Sequence, residues 1–233
     1  MKILAIDSSA ISAGCAIVED GEVIAESFVR VGLTHSETLL PMVSHTLANA
    51  KLTAEDIGCY AVSSGPGSFT GIRIGVAAVK GMAFTRDVPC VGVSTLEAIA
   101  WNCMAQDGVI CAVMDARRQQ VYNALFTFDG QTIIRLCEDR AISIEELTAD
   151  LKSEERTVYL VGDGAQLCYE AMMPEIPEIR LVPEHLRYAR GFGVAMAAMR
   201  VIGKDGAVPP DRLIPTYLRP SQAEREKMNL KRK

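Results

Sequence analysis

The segment Ser63–Phe84 holds the residues whose types and spacing come nearest to chemistry. It reads SSGPGSFTGIRIGVAAVKGMAF. An apolar run ends, a Gly-Pro-Gly loop turns, and a helical pattern begins. Gly65 and Gly67 can adopt positive φ, and Pro66 fixes its own near −65°. Ser68 or Thr70 can cap the helix, whose first N–H groups would then face an incoming anion. The same residues serve a plain turn equally well, and the phosphate-cradling pattern GxxxxGK[ST] is missing. Other reactive types are worse placed. His35 and His45 lie ten residues apart, about 15 Å along a helix, too far to share one metal at bonds of about 2.1 Å. His185 is remote in sequence, there is no HExxH, and no serine sits in GxSxG. The seven cysteines are scattered without a CxxC, which reads as small apolar side chains in a reducing compartment.

Composition limits what these residues can serve. The chain has 233 residues, 49% of them hydrophobic and 23% charged, ordinary usage for a folded protein. Acidic residues outnumber basic ones, 29 to 24, for a net charge of −5. An acidic chain is a poor solitary binder of nucleic acid, because phosphates must be neutralised by Lys and Arg. No stretch approaches the ~20 uncharged apolar residues of a membrane span, and MKILAIDSS is too short for a signal peptide. A cytoplasmic protein without a membrane partner is expected.

The elements that must position the loop follow one pattern used twice. In the first half, Ile3–Ile6 is a strand ending at Asp7 and Ala13–Val18 a second. Asp20-Gly21 is a hairpin turn, and Glu22–Val29 returns. Thr34 with Glu37 forms a capping box for a helix to about Ala50, with Leu40, Val43 and Leu47 as its buried stripe. Ile57–Ser63, Thr70–Thr85, Val88–Val93 and Thr95–Met104 then alternate strand and helix. The second half repeats this. Val109–Met114 ends at Asp115, Gln120–Phe128 follows, Asp129-Gly130 turns, and Gln131–Leu136 returns. Ser143 with Glu146 caps a helix, Thr157–Val161 is a strand, and a short helix runs to about Met172. Arg180–Val182 is strand-like and Leu186–Ile202 a long helix. Three hairpin-joined strands followed by alternation imply a mixed sheet with helices on its faces. Two such α/β units, residues 1–107 and 108–233, predict the duplicated two-domain architecture of the actin, Hsp70 and sugar-kinase superfamily.

Two helices look like a contact surface. The Thr70–Thr85 helix carries Gly71, Gly75, Ala78 and Gly81. Each glycine costs about 1 kcal/mol of helix propensity against alanine, so close approach of another backbone is expected, either the chain's own sheet or a partner helix. Met42 falls off the stripe of the preceding helix. Arg117 and Arg118 stand at a strand-to-strand turn. Adjacent side chains in an extended segment point opposite ways, so at most one is expected to face a cleft. From Arg225 the sequence REKMNLKRK is strongly basic and suits either a solvated tail or contact with nucleic-acid phosphates.

ILAIDSS at the start, HSETLLP at 35–41, the 63–84 segment, VSTLEAIA at 93–100, MDARRQQVY at 114–122 and PTYLR at 215–219 together resemble the bacterial TsaB (YeaZ-like) family. The likeness spans nearly the whole chain. It implies the actin-like (ribonuclease H-like) fold and a subunit of the assembly that makes threonylcarbamoyladenosine next to the anticodon of tRNA. It further implies binding to the catalytic subunit TsaD through the first half, with the ATPase TsaE joining through that pair. Self-association would use the same surface, and tRNA would be met only within the assembly. On the two helices this points to His35, Leu39, Met42, Gly71, Arg73, Gly75 and Val79 as the partner interface. The resemblance also implies a chain without the metal site of TsaD and without catalytic residues.

The superfamily suggests where a nucleotide or phosphate would sit. Asp7 and Asp115 end the first strand of each half, where nucleotide-hydrolysing relatives place aspartates that organise Mg²⁺ and water. Here Ser8-Ser9 follows Asp7 where those relatives tend to carry glycine. Gly162-Asp163-Gly164 stands where the superfamily has a nucleotide-contacting glycine pair. The candidates are thus Asp7, Ser8, Gly65, Gly67, Ser68, Gly162 and Gly164, with ATP or ADP alternatively held at a subunit interface and no intrinsic cofactor. Competing readings are an actin-like ATPase or small-molecule kinase, and a metallopeptidase-like protein.

Overall fold

The computed structural model describes residues 1–32, 34–104 and 107–219. In the first half, β1 (Lys2–Asp7), β2 (Ala13–Glu19) and β3 (Glu22–Val29) form an antiparallel meander. Helix α1 (His35–Asn49), β4 (Cys59–Gly65), α2 (Phe69–Phe84), β5 (Cys90–Ser94) and α3 (Thr95–Ala100) follow. Strands β4 and β5 join β1 in parallel, giving the order β3-β2-β1-β4-β5. In the second half, β6 (Val109–Asp115), β7 (Gln120–Phe128) and β8 (Ile133–Arg135) repeat the meander. They are followed by β9 (Arg140–Ser143), α4 (Ile144–Leu151), β10 (Val158–Val161), α5 (Ala165–Met172), β11 (Ile179–Leu181) and α6 (Gly191–Ile202). That sheet runs β11-β10-β6-β7-β8. Counted within each half, the strand order is the same, so the duplication read from the pattern is present in the topology.

Alternation explains the layers. In β1, Leu4 and Ile6 face α1 and α2, while Ile3 and Ala5 face the molecular centre. In β6, Cys111 and Val113 face α4 and α5, while Ile110, Ala112 and Met114 face the centre. Between the sheets lie α3 and α6, and each crosses over: α6 packs on β1 and β2, α3 on β6 and β7. The result is five layers around one continuous central core. Six of the seven cysteines are buried in these cores. Burial pushes the thiols of Cys15, Cys59, Cys103 and Cys168 up to about 12, consistent with small apolar packing.

Several elements differ from expectation for physical reasons. Helix α1 buries Leu39, Met42, Val43 and Thr46, and Leu40 is 51% exposed. The stripe is therefore rotated by about one residue, because the Thr46 hydroxyl turns inward and bonds the Met42 carbonyl and Ser27 Oγ, both at 2.8 Å. The long helix expected over Leu186–Ile202 begins only at Gly191. Residues Glu184–Leu186 form a 3₁₀ turn, and Arg190 is extended. The start of α6 is fixed from the other half: the Glu26 carboxylate of β3 accepts from the Phe192 N–H and the Arg190 guanidinium. At Asp20-Gly21 both φ values are positive (51° and 90°), as the turn requires. At the second hairpin only Gly130 is positive (95°), and the Asp129 carboxylate accepts from the Gln131 and Thr132 amides instead. The third strand of that sheet is split, with β8 and β9 pairing successive parts of β7.

Residues after α6 return to the first half. Val208 and Cys90 exchange two backbone hydrogen bonds of 2.8 Å at the edge of β5. Leu213 is buried in the core beneath α2, and the Thr216 N–H donates to the Ser64 carbonyl at 2.7 Å. This strap crosses the boundary expected at 107/108. No helix among the described residues is long and apolar enough to cross a membrane.

Candidate functional site

A cleft of about 410 Å³ opens between the halves. The loop after β1 (Ser9, Ile11) and the start of α2 (Gly67, Ser68, Phe69) form one wall. Asp115, Arg117, Tyr122 and Asp163 form the other, and the strap closes one end with Thr216, Tyr217 and Arg219.

The first-half candidates turn away from this space or are already engaged. Asp7 is fully buried and accepts from Ser9 Oγ at 2.8 Å and Ser9 N–H at 3.4 Å. Burial pushes its carboxyl above the usual carboxylate range, with the Ser9 contacts opposing. Ser8 Oγ donates to the Gly71 carbonyl at 2.8 Å. The Ser68 hydroxyl caps α2 by accepting from Gly71 N–H at 3.2 Å, and the Ser68 N–H donates to the Ser9 carbonyl at 2.7 Å. Two of the four orphan N–H groups of the helix start are thereby satisfied internally. Gly67 has φ of 154°, and Gly65, at 140°, begins a cis peptide to Pro66.

In the second half the glycines pack and the aspartate between them faces the cleft. A Cβ on Gly162 (φ 116°) would overlap the Val113 carbonyl, and one on Gly164 would lie 3.0 Å from Asp115 N. Asp163 Oδ1 accepts from the Asp115 N–H at 3.2 Å. Burial, then the charges of Asp115 and Asp7, push its carboxyl up to about 6. Asp115 is held in turn by Arg117, through its N–H at 2.7 Å and its guanidinium at 3.1 Å.

The arginine pair sits on an unusual turn. Arg117, Arg118 and Gln119 have φ of 65°, 58° and 56°, three consecutive non-glycine residues in the left-handed region. Each costs about 1–2 kcal/mol. Arg117 lines the cleft and Arg118 does not. At most one was expected to do so, but the separation comes from the left-handed turn and not from strand alternation.

The residues expected at a partner interface divide in a similar way. Leu39, Met42 and Val79 are core residues, so Met42 is not the off-stripe apolar residue its spacing implied. A Cβ on Gly71 would overlap the Ser8 carbonyl, and one on Gly75 would lie 2.5 Å from Ser8 Oγ. These glycines serve the chain's own packing: they let α2 lie on the Asp7-Ser8-Ser9 turn. His35 Nε2 bonds the Ala10 carbonyl at 2.6 Å, holding that same turn from α1. Arg73 does reach the surface. It lies 3.9 Å over the Phe69 ring and donates from Nε to Tyr217 Oη at 2.9 Å, with the Phe69 and Tyr217 rings stacked at 4.7 Å. The outward face is completed by Leu40, which its spacing had put in the buried stripe, by Gly81 of the small-residue series, and by Ala77 and Phe84, which the pattern did not single out, Phe84 being 74% exposed. A Cβ on Gly81 would meet nothing within 4 Å.

The three histidines do not converge. His35 is bonded to Ala10, His45 is exposed on α1, and His185 lies in the turn before α6. Among the described residues no three His, Cys, Asp or Glu side chains form a metal-holding group.

Comparison with known proteins identifies this architecture. The sequence model of the family TsaD, tRNA N6-adenosine threonylcarbamoyltransferase, matches residues 30–199. The tRNA threonylcarbamoyladenosine biosynthesis protein TsaB of Bacillus subtilis (strain 168) is 31% identical over 225 residues, covering 96% of both chains. The chain belongs to the TsaB (YeaZ-like) branch of this family. The solved structure of YeaZ from Pseudomonas aeruginosa superposes with a TM-score of 0.81 at 23% identity, covering 93% of this chain and 99% of that one. A ROK hexokinase from Thermus thermophilus, 11% identical with a TM-score of 0.50 over 88% of this chain and all of that one, shares the fold alone. The TsaB-like fold is thus the duplicated actin-like α/β architecture read from the sequence.

The fold relatives raise the question of a nucleotide in this cleft, and three of the polar groups that would meet one are already engaged within the chain. Asp7 is sealed among its own serines, the start of α2 is partly engaged, and Asp115 is occupied by Arg117.

Proposed function

We propose that this chain takes part in tRNA threonylcarbamoyladenosine biosynthesis as a non-catalytic scaffold subunit. It binds TsaD through the outward face of α1 and α2 and, with it, TsaE, supporting threonylcarbamoyl transfer to the adenosine next to the anticodon. The observation that carries this reading is the match to the Bacillus subtilis TsaB over 96% of both chains. The shape of the face supports it. Leu40 and Phe84 stand out from two adjacent helices, with Ala77 and Gly81 leaving the backbone of α2 bare beside them. Exposed apolar residues next to small ones fit helix-on-helix docking. A second copy of the chain would compete for the same face. Any ATP or ADP belongs to the interface with TsaD and not to this cleft.

The test is co-purification with the cognate TsaD at micromolar concentrations. Capture is expected, and Phe84→Asp should reduce it at least tenfold without loss of helical content. A well-folded sample that captures no TsaD overturns the assignment. Turnover of ATP with Mg²⁺ by the isolated chain would favour the kinase or ATPase reading, and stoichiometric zinc or iron the metallopeptidase one.

A further inference from the structure

The left-handed turn at the cleft rim has no role in the scaffold just described. It is rigidly held. Ala116 N–H donates to the Gln120 carbonyl at 3.0 Å, Arg117 N–H to Asp115 at 2.7 Å, and the N–H of Ile144 at the start of α4 to the Gln119 carbonyl at 3.1 Å. Glycine or asparagine would adopt these backbone angles at lower cost, yet the positions hold Arg, Arg and Gln. The Arg118 and Gln119 N–H groups donate to no acceptor among the described residues, and the Arg118 guanidinium has no carboxylate partner among them. Successive free N–H groups on such a turn form a concavity that suits an anion. Arg219 reaches the same turn from the strap: it lines the cleft and donates from Nη1 to the Ala116 carbonyl at 3.4 Å.

We propose that the Arg117–Gln119 turn, with Arg219, binds a backbone phosphate of the RNA substrate at the rim of the cleft. The inference rests on the proposed function for the presence of RNA, and it assigns this chain a contact that a pure scaffold would lack. The surroundings favour a strand of RNA over a free nucleotide. The turn is exposed at Arg117–Gln119, and the Tyr217 ring, stacked on Phe69 on one side and 40% exposed, lines the same cleft and offers a surface on which an unstacked base can lie. Of the two carboxylates nearby, Asp115 is paired with Arg117 and Asp163 is turned to the Asp115 N–H, which leaves Arg118 to meet the phosphate. The modest reach of the site agrees with a net-acidic chain that meets RNA only beside a partner.

The test compares wild type with Arg118→Glu and Arg118→Ala in three measurements: capture of TsaD, affinity of the assembled complex for tRNA, and binding of the tRNA by the isolated chain at low salt. Arg118 is exposed, so folding and TsaD capture should stay at wild-type level. The Glu variant should lower tRNA affinity about tenfold, and the Ala variant should flatten the salt dependence by about one phosphate contact. Unchanged affinity and salt slope in an intact complex overturn the RNA site while leaving the scaffold reading in place. If wild type captures no TsaD, the scaffold reading fails and the isolated chain decides: Arg118-dependent tRNA binding supports the site, and its absence overturns it. Arg118-dependent binding of ATP without any effect on tRNA overturns the assignment to RNA.

Discussion

Gly75 shows how a residue can be informative in sequence and misread in role. Three glycines in one helix signal close approach, and the approach at Gly71 and Gly75 is to Ser8 of the chain itself. Gly75→Leu should therefore destabilise the protein by about 1–3 kcal/mol or more through overpacking, read as a lowered thermal midpoint, before any partner is added. Asp163 makes a second prediction at this scale. Its carboxyl is raised in the folded state to about 6 from an ordinary value of 3.8, so the folded protein binds the proton more tightly than the unfolded chain. Its contribution to stability should fall as pH rises from about 4 to about 6 and then level off. Asp163→Asn, which keeps the acceptor for Asp115 N–H, should remove that contribution, so that the variant gains on the wild type across this range and is the more stable at pH 7 by about 1–3 kcal/mol. Urea midpoints measured across that range check both statements. Asp163 was visible only as the middle of a Gly-Asp-Gly turn. Its burial comes from the fold of β6 against the turn after β10, which no local pattern encodes.

At the scale of elements, strands and caps were legible because their signals are local. The capping boxes at Thr34 and Ser143 form as read, with Glu37 and Glu146 each accepting from the cap residue. Helical phase was less legible, since Leu40 and Leu39 both suit a buried stripe, and tertiary packing with one inward threonine chose between them. The start of α6 was illegible in the local sequence because its capping acceptor, Glu26, lies 166 residues from Phe192. Glu26→Ala should fray that start and cost about 1–3 kcal/mol. Faster amide exchange confined to the first turn of α6 would show it. On the outward face of α1 and α2, Leu40→Asp should mimic Phe84→Asp in TsaD capture, whereas Met42→Asp should unfold the protein because that side chain is in the core.

For the whole molecule, the repeated order of elements gave the duplicated architecture, and the sheet orders agree apart from β9, the extra strand of the second sheet. What the repeat did not convey is the exchange between halves. Helix α3 completes the second sheet's core and α6 the first's. Two clusters tie them further: Glu26 with Arg190, and Glu97 bridging Arg135 and Arg200. Residues 1–107 expressed alone should therefore fail to give a cooperative unfolding transition. Co-expression with the remainder should restore one, and a cooperative first half would contradict the exchanged core. The tail from Arg225 lies outside the described residues.

The crossover of α6 has a consequence during synthesis. The inward face of the first sheet, with Ala5, Ala16, Val18 and Val91, waits for Ala195 and Ala198 of α6, and the core under α2 waits for Leu213. About 100 residues separate the end of β5 from the start of α6, so at about 5–20 residues per second the ribosome needs roughly 5–20 s to supply the missing helix. Through that interval the nascent first half carries an uncovered apolar sheet face, a natural client for a chaperone at the exit tunnel.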